Sequence, residues 1–193
     1  MSNYTQITQN QIHQPIIEQA IQFIENLPLV AVDCACGAGN ESAFLLSQNY
    51  QVYAFDTAEI SEKICHTRFQ DQAYFQFSKQ TFENYSFPQA SIIIALLSLF
   101  FCQPVHFQAV FNSICNALPQ GGIFVVDLLG DQDAWVKHSP KHFIGFSQTE
   151  LEYLLSSDFE ILYQEEMLGE YPLASGQLKF WHKYRLILRK VTL

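Results

Sequence analysis

The chain has 193 residues, 49% of them hydrophobic, with 17 phenylalanines and a net charge of −9 at neutral pH. That size and composition suit one globular domain, residues 1–193, with a sizeable core, and argue against a disordered chain. The acidic balance argues against nucleic-acid binding, and the longest apolar run, Ile92 to Cys102, is broken by Ser98 and too short to cross a bilayer. Met1 to Gln14 is polar and lacks the basic start of a signal peptide, so residues 1–12 are expected to be mobile rather than a targeting segment. Five cysteines, an odd number without framework spacing, favour a reducing, cytoplasmic compartment.

In chain order, Pro15 to Glu25 reads as a helix, with Ile16, Ala20, Ile21 and Ile24 on one face and Asn26-Leu27-Pro28 ending it. Leu29 to Val32 is a first strand, Glu41 to Gln48 a helix, and Gln51 to Phe55 a second strand. Ile60 to Phe69 is a helix, Tyr74 to Phe77 a strand, and Phe82 to Pro88 irregular. Ser91 to Leu99 is a nearly continuous apolar strand of the kind buried on both faces. Val105 to Leu118 is a helix, Pro119 to Gly122 a turn, and Ile123 to Leu129 another buried strand. Ser147-Gln148-Thr149-Glu150 is a capping box opening a helix to about Ser156. Phe159 to Tyr163 and Lys179 to Arg189 are the last strands. Strands that alternate with helices imply an α/β, doubly wound, mostly parallel sheet, and the final two strands, joined without a helix, should pair antiparallel.

The charge is uneven. The first basic residue is Lys63, and five of the ten lie between Lys179 and Lys190. Basic side chains usually sit on solvated faces, so Lys179 and Arg185 are expected to be exposed and to matter to turnover only with an anionic substrate.

The chemistry concentrates in Val30-Ala31-Val32-Asp33-Cys34-Ala35-Cys36-Gly37-Ala38-Gly39, followed by the strand that ends in Asp56. Gly37 and Gly39 let backbone approach a ligand where a Cβ would clash. Asp56, about 20 residues after the turn, is placed to accept hydrogen bonds from ribose hydroxyls. The alternative is that it caps the next helix, but an acid after the apolar run Val52 to Phe55 has few structural reasons to be there, so its replacement by alanine should move the unliganded melting temperature only slightly. A strand, a glycine turn, a helix and an acid at the next strand end together suit a nucleotide-like cofactor bound at the carboxyl ends of the strands. A dinucleotide turn wants a third glycine three residues after Gly39, and that residue is Ser42, so NAD is the weaker chemical match.

This stretch resembles motif I and the acidic second-strand end of the class I S-adenosylmethionine (SAM)-dependent methyltransferases, with Ala35 in place of the first glycine of Gly-Cys-Gly-x-Gly. Leu118-Pro119-Gln120-Gly121-Gly122 is similar to the turn before their fifth strand. Gly130-Asp131, Asp133-Ala134-Trp135, Gly176 and Lys179-Phe180-Trp181-His182 resemble the C-terminal half of the small tellurite-resistance-type methyltransferases. The resemblance implies a seven-stranded Rossmann-like sheet, SAM as cofactor, and methyl transfer to a small-molecule acceptor without nucleic-acid or membrane partners. It implies cofactor contacts at Asp33, Cys36, Gly37, Gly39, Asp56 and Thr57, with Phe82, Ala95 and Leu96 on the adenine and methionine sides. Ser78 and Ser91 stand where relatives often carry acids. They leave room for a second reading, a SAM- or nucleoside-binding module without turnover; an NAD-dependent oxidoreductase is the third.

His182, beside Trp181 near the basic strand, is the candidate general base, with Asp131 and Asp133 as contenders where the acceptor needs deprotonation. An acceptor that is already nucleophilic needs none, because the sulfonium methyl is activated and positioning supplies the acceleration. Cys34-Ala35-Cys36 is too tightly spaced for a Cys-x-x-Cys metal pair, and no second Cys/His pair matches it, so no metal is expected.

Overall fold

The computed structural model describes residues 2–155 and 157–192, without the side chains of residues 2 and 3. Ser156, the expected end of the capping-box helix, lies outside the described residues. Among the described residues seven strands form one sheet: β1 Val30–Cys34, β2 Gln51–Asp56, β3 Phe75–Lys79, β4 Ile92–Ala95, β5 Ile123–Leu129, β6 Phe159–Pro172 and β7 Leu178–Lys190. Their spatial order is β3-β2-β1-β4-β5-β7-β6. The pairings from β3 through β5 are parallel, and β7 runs antiparallel to both β5 and β6. The helices are α1 Ser2–Thr8, α2 Ile16–Ile21, α3 Asn40–Ser47, α4 Glu59–Arg68, α5 Phe107–Ala117, α6 Ala134–His138 and α7 Gln148–Leu155. No helix among the described residues is long and apolar enough to cross a membrane.

The alternation of strand side chains divides the core into two layers. Val32, Ile93, Phe124, Val126 and Leu188 face α5 and α7, where Phe107, Phe111, Ile114 and Leu151 cover them. Ala31, Val52, Ile92, Ile94, Val125 and Ile187 face the other way, onto Ile16, Ile17 and Ala20 of α2 and Leu45 of α3. Asp33 and Asp127 belong by parity to this second face, at the carboxyl ends of their strands.

Four elements depart from expectation. The fourth strand stops at Ala95, four residues before Leu99, because Leu97 turns into the left-handed region (φ 50°) and Leu99–Phe101 form a 3-10 helix. The sixth strand continues to Pro172 as one arm of a long hairpin, with a bulge between Ile161 and Tyr163. The polar stretch after β5 contains α6, whose first turn is capped by the Asp133 side chain on the Trp135 N–H at 2.9 Å. The first residues form α1, which docks on α4 through Thr5 Oγ1 and Ser61 Oγ, 3.3 Å apart and buried.

Candidate functional site

Between β1 and α3 the chain enters the left-handed region at every second residue: Ala35 (φ 52°), Gly37 (φ 55°) and Gly39 (φ 73°). The two glycines serve different ends. A Cβ on Gly39 would lie 2.7 Å from the Phe69 ring, so this glycine lets α4 pack against the turn. A Cβ on Gly37 would meet nothing within 4 Å, so no internal contact demands its absence and the space beside it is open to a ligand. Ala35 accepts the same backbone conformation with a side chain, at a steric cost of about 1–2 kcal/mol.

Two carboxylates hold this turn. Asp56 takes the Gly37 N–H on Oδ2 at 2.9 Å and the Ala58 N–H, where α4 begins, on Oδ1 at 2.8 Å. Asp33, 3% exposed, takes the Ser42 N–H at 3.1 Å and the Ser42 hydroxyl at 2.6 Å, both on Oδ2, and so fixes the start of α3. Burial, reinforced by the charge of Glu41 and opposed by the two Ser42 bonds, raises the Asp33 pKa to about 8. A carboxyl that holds its proton more tightly folded than unfolded makes stability fall as pH rises, here from about 4 to about 8. The melting temperature of the unliganded protein should therefore decline across that window, and Asp33→Asn should flatten the decline. A flat wild-type profile would exclude the assignment.

A cavity of about 80 Å³ lies against the turn, walled by Asp33, Cys34, Ala35, Cys36, Gly37, Ala38, Asn40 and Glu41, and by Ile94, Leu96 and Leu97 from the end of β4. Its remaining wall comes from the N-terminal segment: Tyr4, Thr8, Gln11, Ile12 and Gln14. That segment is tied down across the turn. The Asn40 side chain donates to the Thr8 carbonyl (2.9 Å), the Gln14 N–H donates to Glu41 (3.2 Å), and Arg185 donates to the Gln14 side chain (3.3 Å). His13 stacks on Phe44 with ring centres 3.9 Å apart. A broader open groove, about 630 Å³, lies between Gln9–Gln11 and α4, and Arg68 in its wall donates to the Ala38 carbonyl of the turn at 2.9 Å.

Of the residues named from sequence, Asp33, Cys36, Gly37 and Leu96 line the cavity, and Asp56 reaches it through Gly37. Thr57 follows Asp56 on the exposed surface, and Ala95 is fully buried in β4. Phe82 is buried edge-on to Phe55, ring centres 5.1 Å apart, and is not in the cavity wall. Cys36 turns away from Cys34 to meet Cys65, with sulfurs 4.0 Å apart; that contact and burial keep the Cys36 thiol protonated. The N-terminal wall and Glu41 were not anticipated. Ser2–Thr8 carries no apolar periodicity, and among its described side chains the buried ones are Thr5 and Thr8.

His182 lies outside this wall. It is 2% exposed, and its ring packs so closely on Gly130 that a Cβ there would sit 2.2 Å from it. Nδ1 accepts the Gln132 N–H at 3.0 Å, which leaves the ring proton on Nε2, donated to Glu166 at 2.9 Å. Both nitrogens thus serve to join β7, β6 and the loop after β5. Of the other contenders, Asp133 is fully buried and committed to Lys179, while Asp131 is partly exposed with Oδ1 3.3 Å from His182 Nδ1.

The expected solvated face of β7 is instead buried. Lys179 is 6% exposed, its ammonium 2.6 and 2.5 Å from the Asp133 oxygens and 3.5 Å from the centre of the Trp181 ring. Arg185 forks onto both oxygens of fully buried Asp127, each at 2.9 Å, and Lys183 lies 3.3 Å from the same carboxylate. Strand β7 is interior, between β5 and β6, so its cations must find carboxylates on neighbouring elements.

Residues 31–122 match the family model described as a methyltransferase domain, the span that contains the glycine turn and Asp56. Among curated protein sequences none matches this chain. Among solved structures the chain is similar to TehB from Haemophilus influenzae, at 18% identity and a TM-score of 0.73, over 94% of this chain and 63% of that protein's length. It is also similar to a SAM-dependent methyltransferase from Methanosarcina mazei, at 16% identity and a TM-score of 0.70, over 94% of this chain and 100% of the other. A third is the 1,6-didemethyltoxoflavin-N1-methyltransferase of Burkholderia thailandensis, solved with 1,6-didemethyltoxoflavin and S-adenosylhomocysteine: 18% identity, TM-score 0.68, 92% of this chain and 76% of that one. Residues 31–122 thus match the methyltransferase-domain model, and the chain has the fold of the SAM-dependent methyltransferases.

Proposed function

We propose that this chain acts as one domain that transfers the methyl group of SAM to a small-molecule acceptor in the cytoplasm. The observation that carries this reading is the open side of Gly37, faced by carboxylates. Asp33 and Glu41 line the cavity and Asp56 braces its turn. SAM brings a sulfonium and an ammonium, which the carboxylates of Glu41 and Asp56 attract, whereas the pyrophosphate of NAD would be repelled; Asp33, with its pKa raised to about 8, contributes hydrogen bonds rather than charge. Ser42, fully buried and bonded to Asp33, fills the place of the third dinucleotide glycine. Five buried, unpaired cysteines support a reducing compartment.

When bound, the cofactor supplies an activated methyl group. Gly37 offers backbone, Asp56 has lone pairs left for ribose hydroxyls, and Ile94 and Leu96 line the cavity at the end of β4. A cavity of about 80 Å³ is far below the 300 Å³ or more of a typical ligand site, so binding requires the segment from Tyr4 to Gln14 to shift outward. His182 is a positioning residue in this reading, with both nitrogens engaged, so orientation of the acceptor rather than a histidine base supplies the acceleration.

Thermal shift and calorimetry with S-adenosylhomocysteine and with NADH test the cofactor. Saturation at about 100 times Kd should add about 2.7 kcal/mol and raise the melting temperature by about 5–10 °C. Stabilisation by NADH alone would overturn the assignment. S-adenosylhomocysteine release in an acceptor screen separates the enzyme from a module that binds without turnover.

A further inference from the structure

We propose that the acceptor is a flat aromatic molecule bearing a hydroxyl, seated where the aromatic cluster beyond β5 meets the cofactor cavity at Leu97, with its hydroxyl on Ser98. The inference rests on the methyltransferase reading above and names the acceptor class for that same site.

Three observations converge on the step that leaves β4. Leu97 belongs to two surroundings at once: it lines the cofactor cavity, and it packs against the cluster of Phe100, Leu129 and Trp181. It is held in the left-handed region, φ 50°, while its N–H donates to buried Asp127 at 3.1 Å. A branched side chain pays for that conformation, and such strain gathers at ligand sites.

The next residue, Ser98, is 3% exposed, and among the described residues its hydroxyl is the one buried side-chain polar atom without a hydrogen-bond partner. A buried orphan hydroxyl is costly, and a ligand that supplies its partner recovers the cost. A hydroxyl both donates and accepts, so it matches another hydroxyl.

The third observation is the ring cluster itself. Phe100 and Trp181 form a buried base, and Trp135, Phe143 and Phe101 form a partly open rim. Trp135 stacks on Phe143 at 5.2 Å, and Phe101 lies 5.8 Å from Trp135 and 6.2 Å from Phe143. Phe101 is 42% exposed beside these rings, an apolar surface that a planar ligand would cover. The cation beneath, Lys179, is neutralised by Asp133 and shielded by Trp135 and Trp181, so the rim offers rings rather than charge. A ring is therefore favoured over an inorganic or carboxylate anion. Transfer forms a bond from the acceptor oxygen to the methyl carbon and breaks the sulfur–methyl bond. The sulfur keeps that electron pair, and the hydroxyl proton leaves to water.

The test titrates 6-hydroxyquinoline and quinoline into protein saturated with S-adenosylhomocysteine, by calorimetry and by emission of the two tryptophans, Trp135 and Trp181. The expected result is binding of both, at least tenfold tighter for 6-hydroxyquinoline, with a change in tryptophan emission. Phe101→Ala should weaken both probes about tenfold. Ser98→Ala should weaken 6-hydroxyquinoline at least fivefold, leave quinoline and S-adenosylhomocysteine unchanged, and not lower the melting temperature, because no protein bond is lost. Intact S-adenosylhomocysteine binding with neither probe bound overturns this inference alone, as does a Ser98→Ala variant that loses both probes equally or melts earlier. Failure of the wild type to bind S-adenosylhomocysteine overturns the cofactor reading and this inference with it.

Discussion

Replacing Asp56 by alanine is expected to weaken S-adenosylhomocysteine at least tenfold and to lower the melting temperature of the unliganded protein by about 4–8 °C. The first effect follows from ribose hydroxyls meeting an ionised acceptor: such bonds contribute about 1.5–3 kcal/mol, and 1.4 kcal/mol is one decade of affinity. The second is visible only in the structure. From sequence, the loss of Asp56 should leave unliganded stability nearly unchanged, yet its two oxygens already receive the N–H groups of Gly37 and Ala58. Water can reach the vacated donors at this half-buried site, so the combined loss is about 2 kcal/mol rather than the full sum, and each kcal/mol moves a chain of this size by about 2–4 °C. Asp56→Asn keeps one acceptor oxygen and turns an amide N–H₂ toward the other donor, so it should fall between wild type and alanine in stability. Calorimetry beside thermal melts separates the two duties. A lower melting temperature with unchanged affinity would reduce Asp56 to a brace for the turn.

The parts of this molecule that were legible in the sequence are those whose cause is local. Leu29 to Val32 and Ile123 to Leu129 are apolar runs bounded by turn residues, and they appear as strands within a residue or two of where they were expected. The glycine turn and Asp56 announce themselves because backbone conformation and strand ends leave marks at fixed offsets. Strand β6 was expected to end at Tyr163 but runs on through Gln164-Glu165-Glu166 to Pro172, because an edge strand with a solvated face tolerates those side chains. Helix α1 escaped notice because polar threonines form its buried face. The buried cations escaped for another reason. Lys179 finds Asp133 across 46 residues and Arg185 finds Asp127 across 58, and a pairing at such separation leaves no periodic trace. Five basic residues in the last fifteen therefore read as a charged surface, although β5 and β6 enclose their strand on both sides.

That enclosure sets the largest stability effect expected in the chain, at Asp133. Its carboxylate is fully buried, receives the Lys179 ammonium on both oxygens, the His182 N–H at 3.1 Å and the Trp135 N–H at 2.9 Å. Asp133→Ala strands a lysine 6% exposed among tryptophan rings and uncaps α6. Breaking one side of a buried pair costs about 3–5 kcal/mol, which predicts a melting temperature lower by about 6–20 °C. Most of that cost belongs to the orphaned ammonium rather than to the attraction lost. Adding Lys179→Met to Asp133→Ala removes the orphan while filling its volume, and the double variant should recover more than half of the loss. The exposed pair Lys63–Glu59 supplies the contrast: both side chains are about two-thirds exposed, and Lys63→Ala should leave the melting temperature unchanged. Thermal melts of these variants decide the matter. If Asp133→Ala melts within about 3 °C of wild type, water reaches Lys179 and the aromatic base beneath Trp135 is not sealed.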